Sequence, residues 1–177
     1  MVRRKRVTPA PGKSRGPHPP SPPSKDVLKL VSHLPKVGYI TRNFTGYVFL
    51  DLNDDWIESL ESIMEKYGYQ RPPYFYGAQG VGAHATILPA VYGKNHPDSD
   101  VEVGRKIAFE ISRAAPFYPR YGEYGSEAIY TIKIESPELD QVLESFNEPE
   151  YKPGYGGGFH IVVGVRTLRT RDAMMMK

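Results

Sequence analysis

Apolar and polar positions along this chain follow two periods, near two in some stretches and near 3.6 in others. "VGYITRNFTGYVFLDL" (37–52) is β-branched and aromatic around a turn-like "NFTG", which predicts a hairpin or two short strands. "NDDWIESLESIMEKYG" (53–68) repeats apolar residues at helical spacing through Trp56, Ile57, Leu60, Ile63, Met64 and Tyr67. Asn53 or Asp54 can cap that helix, and Gly68 suits its end. A loop then leads into the strand "AHATIL" (83–88). "VEVGRKIAFEISRA" (101–114) reads as a further helix, and "PFYPRYGEYG" (116–125) as an irregular aromatic segment. "AIYTIKIE" (128–135) alternates like a half-buried strand. Ser136–Pro137 starts a helix with the apolar stripe Leu139, Val142, Leu143 and Phe146, since Ser caps and Pro fits the first helical position. A glycine-rich loop then enters the strand "FHIVVGV" (159–165).

The order strand, helix, loop, histidine-bearing strand therefore occurs twice. Strand side chains alternate faces. His84, Thr86 and Leu88 share one face of the first such strand, and His160, Val162 and Gly164 share one face of the second. The other face of the second strand, Phe159, Ile161, Val163 and Val165, is plainly core. Two related halves packed together would turn both imidazoles into one cleft. Two groups that titrate near neutrality suit acid–base chemistry there. A buried, hydrogen-bonded structural histidine is the plainer reading of either one alone. Of the other three, His18 lies near the N-terminus, His33 near the start of the body and His96 in a turn. No His-rich or His/carboxylate cluster stands at ligand spacing, so neither a metal nor another cofactor is expected.

Charge changes the picture in one respect. Residues 1–26 hold seven Lys or Arg and one acid, which leaves 16 basic and 19 acidic residues for 27–177. The net charge of +3 thus belongs to a proline-rich segment, read as a disordered basic tail. Its "RRKR" (3–6) suits nuclear import or anion binding, or simply a solvated arm. The body, a single domain over 27–170 followed by a flexible end at 171–177, lacks the bulk positive charge that long nucleic acid requires. No apolar run suits a membrane span or a secretory signal, and the chain has no cysteine, which together fit a cytoplasmic protein, with nuclear entry through the tail as the variant.

"HAT" (84–86) and "HIV" (160–162), each on a strand of a repeated unit, give residues 37–167 a pattern that resembles the 2H phosphoesterase superfamily, defined by two H-x-[T/S] motifs. The stretches "GYI" (38–40), "GYVFLDL" (46–52), "PPYF" (72–75) and "GAHAT" (82–86) look most like its phage and viral anti-CBASS nuclease branch, which cleaves cyclic oligonucleotide immune signals. The resemblance implies an α+β fold of two duplicated lobes, with two antiparallel sheets flanked by helices around a central cleft. It also implies metal-independent cleavage of a phosphodiester in a small cyclic or short oligonucleotide, with His84 and His160 as acid and base and Thr86 as a phosphate donor. Val162 departs from the pattern, because it cannot donate a hydrogen bond where the family has Thr or Ser. Losing one such donor costs about 10²–10³ in rate. The "GYGGG" amides (154–158), Lys133 and Arg166 are the candidates to compensate, although Arg166 reads more simply as a solvated strand end. Nucleobases stack on aromatic rings, and of the many tyrosines flanking the histidines, Tyr39 and Tyr76 are the expected contacts. Two alternatives stand beside the enzyme: a nucleotide sponge or sensor that binds without turnover, which Val162 favours, and an interaction module with structural histidines.

Overall fold

The computed structural model describes residues 17–76, 81–97, 101–119, 125–154 and 157–175. They form a mixed α+β fold: one seven-stranded antiparallel sheet with helices packed on one face. In chain order the strands are β1 (Val37–Arg42), β2 (Val48–Asp51), β3 (His84–Leu88), β4 (Lys106–Ala108), β5 (Glu110–Phe117), β6 (Ser126–Glu135) and β7 (His160–Thr167). The helices are α1 (Ser24–Val31), α2 (Asp55–Glu58), α3 (Glu61–Lys66), α4 (Ala90–Gly93), α5 (Pro137–Ser145) and α6 (Leu168–Met175). The spatial order is β4-β1-β2-β3-β7-β6-β5. Two separate sheets were expected; instead β3 pairs directly with β7, through Ala85 and Ile161, so the halves share one sheet.

One row of register partners crosses six strands: Ile40, Leu50, Ala85, Ile161, Ile132 and Ala114. All six are buried. They meet Val27 and Val31 of α1, Trp56 and Ile57 of α2, Met64 of α3, and Leu139 and Val142 of α5 in one core. The histidines stand on the opposite face, where the rows Tyr39–Asp51–His84 and His160–Lys133–Arg113 run outward from the β3–β7 seam.

The "NFTG" turn closes as predicted, with the Asn43 side chain accepting from the Thr45 and Tyr47 amides. Ser136 caps α5 by accepting from the Leu139 amide. Two expectations fail. The helix at 53–68 is split at Ser59–Leu60, where Leu60 bonds back only three residues, to Ile57. The helix expected over 101–114 is instead β4 and β5. Ile107 and Phe109 are buried at a spacing of two, while Lys106 and Ala108 face out, so the strand period wins there.

A bulge re-aims the end of β7. Thr131 pairs with Val162 and Tyr130 with Gly164, so Val163 has no partner and the alternation reverses after it. Gly164 turns into the core, where an added Cβ would lie 3.1 Å from Tyr69 and 3.2 Å from the Met64 sulfur. Arg166 follows it inward. Expected as a solvated strand end, Arg166 is fully buried. Its Nε donates to Glu127 Oε2 at 2.8 Å, and its terminal nitrogens donate to the carbonyls of Tyr67, Pro20 and Pro19.

Those contacts fasten the N-terminal segment. Residues 17–26, expected within the solvated tail, lie on the body as a strap that continues into α1. His18 donates through Nδ1 to the buried Glu127 and stacks on Tyr118, Ser21 bonds the Tyr69 hydroxyl, and the Tyr130 hydroxyl donates to Pro22. Residues 171–175, expected as a flexible end, continue α6. Among the described residues no helix is long and apolar enough to cross a membrane.

Removing one partner of a buried ion pair strands the other charge, at a cost of about 3–5 kcal/mol. Arg166→Ala is therefore expected to lower the unfolding free energy by about that amount, read by urea denaturation. Burial pushes the Glu127 carboxyl up, but hydrogen bonds from His18 and Arg166 and their charges outweigh it and hold it below the usual range. A depressed folded value gives stability that is present above the unfolded value of about 4.3 and lost as pH falls through the folded one. The Arg166→Ala penalty, measured against pH, should shrink below about pH 4.

Candidate functional site

His84 opens β3 with its Nδ1 2.8 Å from the carbonyl of Gly82, two residues back. A carbonyl only accepts, so Nδ1 carries the proton and Nε2 is left for chemistry. His160 opens β7 in the same way, hydrogen-bonded to the backbone of Gly158, again two residues back. The shared local sequence is Gly–apolar–His, Gly82–Ala83–His84 and Gly158–Phe159–His160. In each, the middle residue is buried in the core and fixes the strand's entry: Ala83 is 0% exposed and Phe159 2%.

A further group braces His84. The amide of Ala83 donates to Asp54 Oδ1 at 2.9 Å. That amide and the Gly82 carbonyl belong to one peptide, so Asp54 holds the plane whose oxygen receives the His84 proton. A Cβ at Gly82 would collide with the same carboxylate. Asp51, the register partner of His84, is pushed above the usual carboxylate range, first by burial and then by the charge of Asp54.

The loop before β7 plays the bracing part for His160. Gly154 and Gly158 both have positive φ, 79° and 113°. A Cβ on Gly154 would lie 2.9 Å from His160 Nδ1, and one on Gly158 would lie 2.7 Å from Cε of Lys133. Only glycine allows the loop to sit this close to the imidazole and to the lysine stem.

Both histidines line one cavity of about 590 Å³. Continuing the Ala85–Ile161 register one step either way sets His84 opposite Val162 and Thr86 opposite His160. All four residues border the cavity. Tyr47, Tyr74 and Tyr151 give the wall its aromatic rings, and Pro73, Pro89, Ile129 and Val165 add apolar surface. Tyr74 meets His84 edge-on with ring centres 4.7 Å apart, Phe49 lies at 5.5 Å and Tyr47 at 5.8 Å. The Tyr47 hydroxyl bonds Thr86 Oγ1 at 2.6 Å, and that of Tyr74 donates to the Val162 carbonyl. Tyr151 and Lys152 also line the cavity. Burial, and then the neighbouring Tyr47 and Tyr92, push the Tyr151 hydroxyl up, so it stays protonated and can donate.

His84, Thr86, His160 and Val162 are thus brought together as the sequence suggested. Tyr39 is not with them: it is 50% exposed on β1, two strands from His84, and does not border the cavity. The side chain of Tyr76, and residues 155–156 of the glycine loop, lie outside the described residues. Arg166 cannot compensate for Val162, because it points to the other face. Tyr47 was missed, although the alternation of Val48, Leu50 and Leu52 into the core already sets Tyr47, Phe49 and Asp51 on the histidine face. Lys152 carried no local signal. Among the described residues no group of three or more His, Asp or Glu side chains is placed to hold a metal ion.

Burial lowers the pKa of both imidazoles against the raising effect of their backbone bonds, and the charge of His84 lowers that of His160 further. Proton NMR of the free protein should therefore show both titrating below the ordinary value of about 6.5. Asp54→Ala should cost about 1.5–3 kcal/mol for the lost charged hydrogen bond. It should also shift the ¹⁵N signature of His84 toward a mixture of tautomers, which a merely destabilised fold would not do.

Comparison with family models, with curated proteins and with solved structures finds no match to this chain.

Proposed function

We propose that this chain is a metal-independent phosphodiesterase that cleaves small cyclic or short oligonucleotides by two-histidine acid–base catalysis. One observation carries the reading. Two imidazoles, each fixed by the carbonyl two residues upstream, face one aromatic-walled cavity beside the hydroxyl of Thr86. The strand order supports the duplicated, 2H phosphoesterase-like architecture in its finer form. Outward from the β3–β7 seam it runs β2, β1 on one side and β6, β5 on the other, with a helical connection before each histidine strand and β4 added at one edge. Cyclic immune signals of the kind cleaved by anti-CBASS nucleases fall within this substrate class.

In the proposed reaction one neutral imidazole takes the proton of the substrate 2′-hydroxyl. The 2′-oxygen attacks phosphorus, the bond to the 5′-oxygen breaks, and the second imidazole, protonated, gives its proton to that oxygen. The products are a 2′,3′-cyclic phosphate and a free 5′-hydroxyl. Low imidazole pKa values suit the base. The acid gains its proton when the phosphate anion enters, because a nearby negative charge raises a histidine's pKa. In this reading the bonded pair of Thr86 and Tyr47 has one hydroxyl proton left to donate to a phosphate oxygen, Tyr151 supplies another, and the rings offer stacking surfaces worth about 1–3 kcal/mol per base.

A second reading, a nucleotide sponge or sensor, is favoured by Val162, which offers no hydroxyl opposite His84. One assay separates the two. EDTA-treated protein is incubated with cyclic di- and trinucleotides, 2′,5′-oligoadenylate and a 2′,3′-cyclic mononucleotide, and products are read by chromatography. The enzyme predicts product, with His84→Ala and His160→Ala each slower by about 10²–10⁴ while binding survives. Val162→Thr is expected to raise turnover, by up to about 10²–10³ if the restored hydroxyl meets the oxyanion. Binding without product from any substrate would establish the sponge.

A further inference from the structure

A second, smaller cavity of about 70 Å³ adjoins the first, and His160 borders both. Its wall includes Arg113, Lys133, Thr131, Phe117 and the Gly157–Gly158 loop. Lys133 is the register partner of His160 on β6, and Arg113 is the partner of Lys133 on β5. Strands lie about 4.8 Å apart, so the two cations stand roughly 5 and 10 Å outward from His160 along one row.

Two features of this row ask for an anion. Like charges directly opposite on adjacent strands destabilise a sheet. Arg113 reaches that position through a β-bulge, since Ile111 pairs with Ile134 and Arg113 with Lys133, leaving Ser112 unpaired. Among the described residues neither cation forms an ion pair with a carboxylate, whereas Arg71, Arg105 and Arg166 do. The mirror positions across the seam hold Asp51 and Tyr39 in place of Lys133 and Arg113. The histidine face therefore differs on its two sides: a carboxylate, Asp51, stands next to His84 and a cation, Lys133, next to His160, and the His84 row reaches a cation only at Lys106 on the edge strand β4. Lys133 is also held in place, its stem lying where a side chain on Gly158 would be.

We propose that Lys133 and Arg113 form a second phosphate subsite beside His160. It takes a phosphate that does not react, so the substrates are nucleotides with at least two phosphodiester groups, cyclic dinucleotides and larger, bound with the scissile phosphate between the histidines. The inference deepens the proposed function and rests on the histidine cavity as the place of the first phosphate.

The test is a binding comparison. In the inactive His84→Ala background, affinities for cyclic di-AMP, cyclic di-GMP and adenosine 2′,3′-cyclic phosphate are measured by calorimetry, with and without Lys133→Met plus Arg113→Gln. The subsite predicts that any cyclic dinucleotide bound by the parent weakens at least about tenfold, the worth of one charged hydrogen bond, while the single-phosphate ligand changes by less than about threefold. Lys133→Arg with Arg113 intact should retain the affinity, and equal melting temperatures show that the variants fold. Selective weakening in a protein whose wild type turns over nothing would uphold the subsite and sink the enzyme. Equal weakening of both ligand classes would put the cations on the scissile phosphate and overturn the subsite, leaving the enzyme untouched. Unchanged affinity for the cyclic dinucleotides, or no binding of them by the parent, would overturn it as well.

Discussion

The site depends on a single backbone pairing. β3 and β7 meet antiparallel at Ala85 and Ile161, and both side chains point into the core with no exposure. Because strand side chains alternate, burying that pair forces both flanking residues on each strand to the other face. His84 and Thr86 on one side, His160 and Val162 on the other, stand together because the core claims the residue between them. A slip of one residue at this seam would exchange histidines for core, so the apolar contacts that stabilise the sheet also hold the register of the chemistry.

The two faces are then treated very differently. The helix side is sealed with aliphatic and aromatic side chains, and the fully buried Arg166 there is matched by Glu127 and by backbone carbonyls. The open side also buries polar groups, and burial there lowers the pKa of both imidazoles. Asp54 on one side and Gly154 and Gly158 on the other sit at the edges of this face, beside the backbone that holds each imidazole. The histidine geometry is consequently a property of the strand entries as much as of the strands.

Much of this was legible in the residues. The alternation in 37–52, 83–88 and 128–135, the Ser136–Pro137 helix start and the common face of the histidines all follow from local periodicity. What was not legible is where periodicity is broken or overruled. Nothing local announces that Val163 is skipped, yet that one bulge sends Gly164 and Arg166 inward and Val165 to the cavity. Over 101–114 both periods fit, and the edges of β1 and β6 decide for strands. The strap at 17–23 has the composition of a disordered tail, and its order comes from Tyr69 and from partners more than a hundred residues away. Sequence reading sees neighbours along the chain, and these features are made by neighbours across it.

The strap also sets a timetable. Its partners are Tyr69, then Glu127 and Tyr130 of β6, and Arg166 of β7, so the first described segment of the chain is anchored by its last two strands and by Tyr69. During synthesis at roughly 5–20 residues per second, residues 17–23 leave the ribosome well before anything exists to receive them. Until β7 emerges, Glu127 has no guanidinium and the Ile161 edge of β3 is bare. The strands β4-β1-β2-β3 can pair from residues 37–108 alone, but the strap cannot dock and the histidine face cannot be completed until β7 is made.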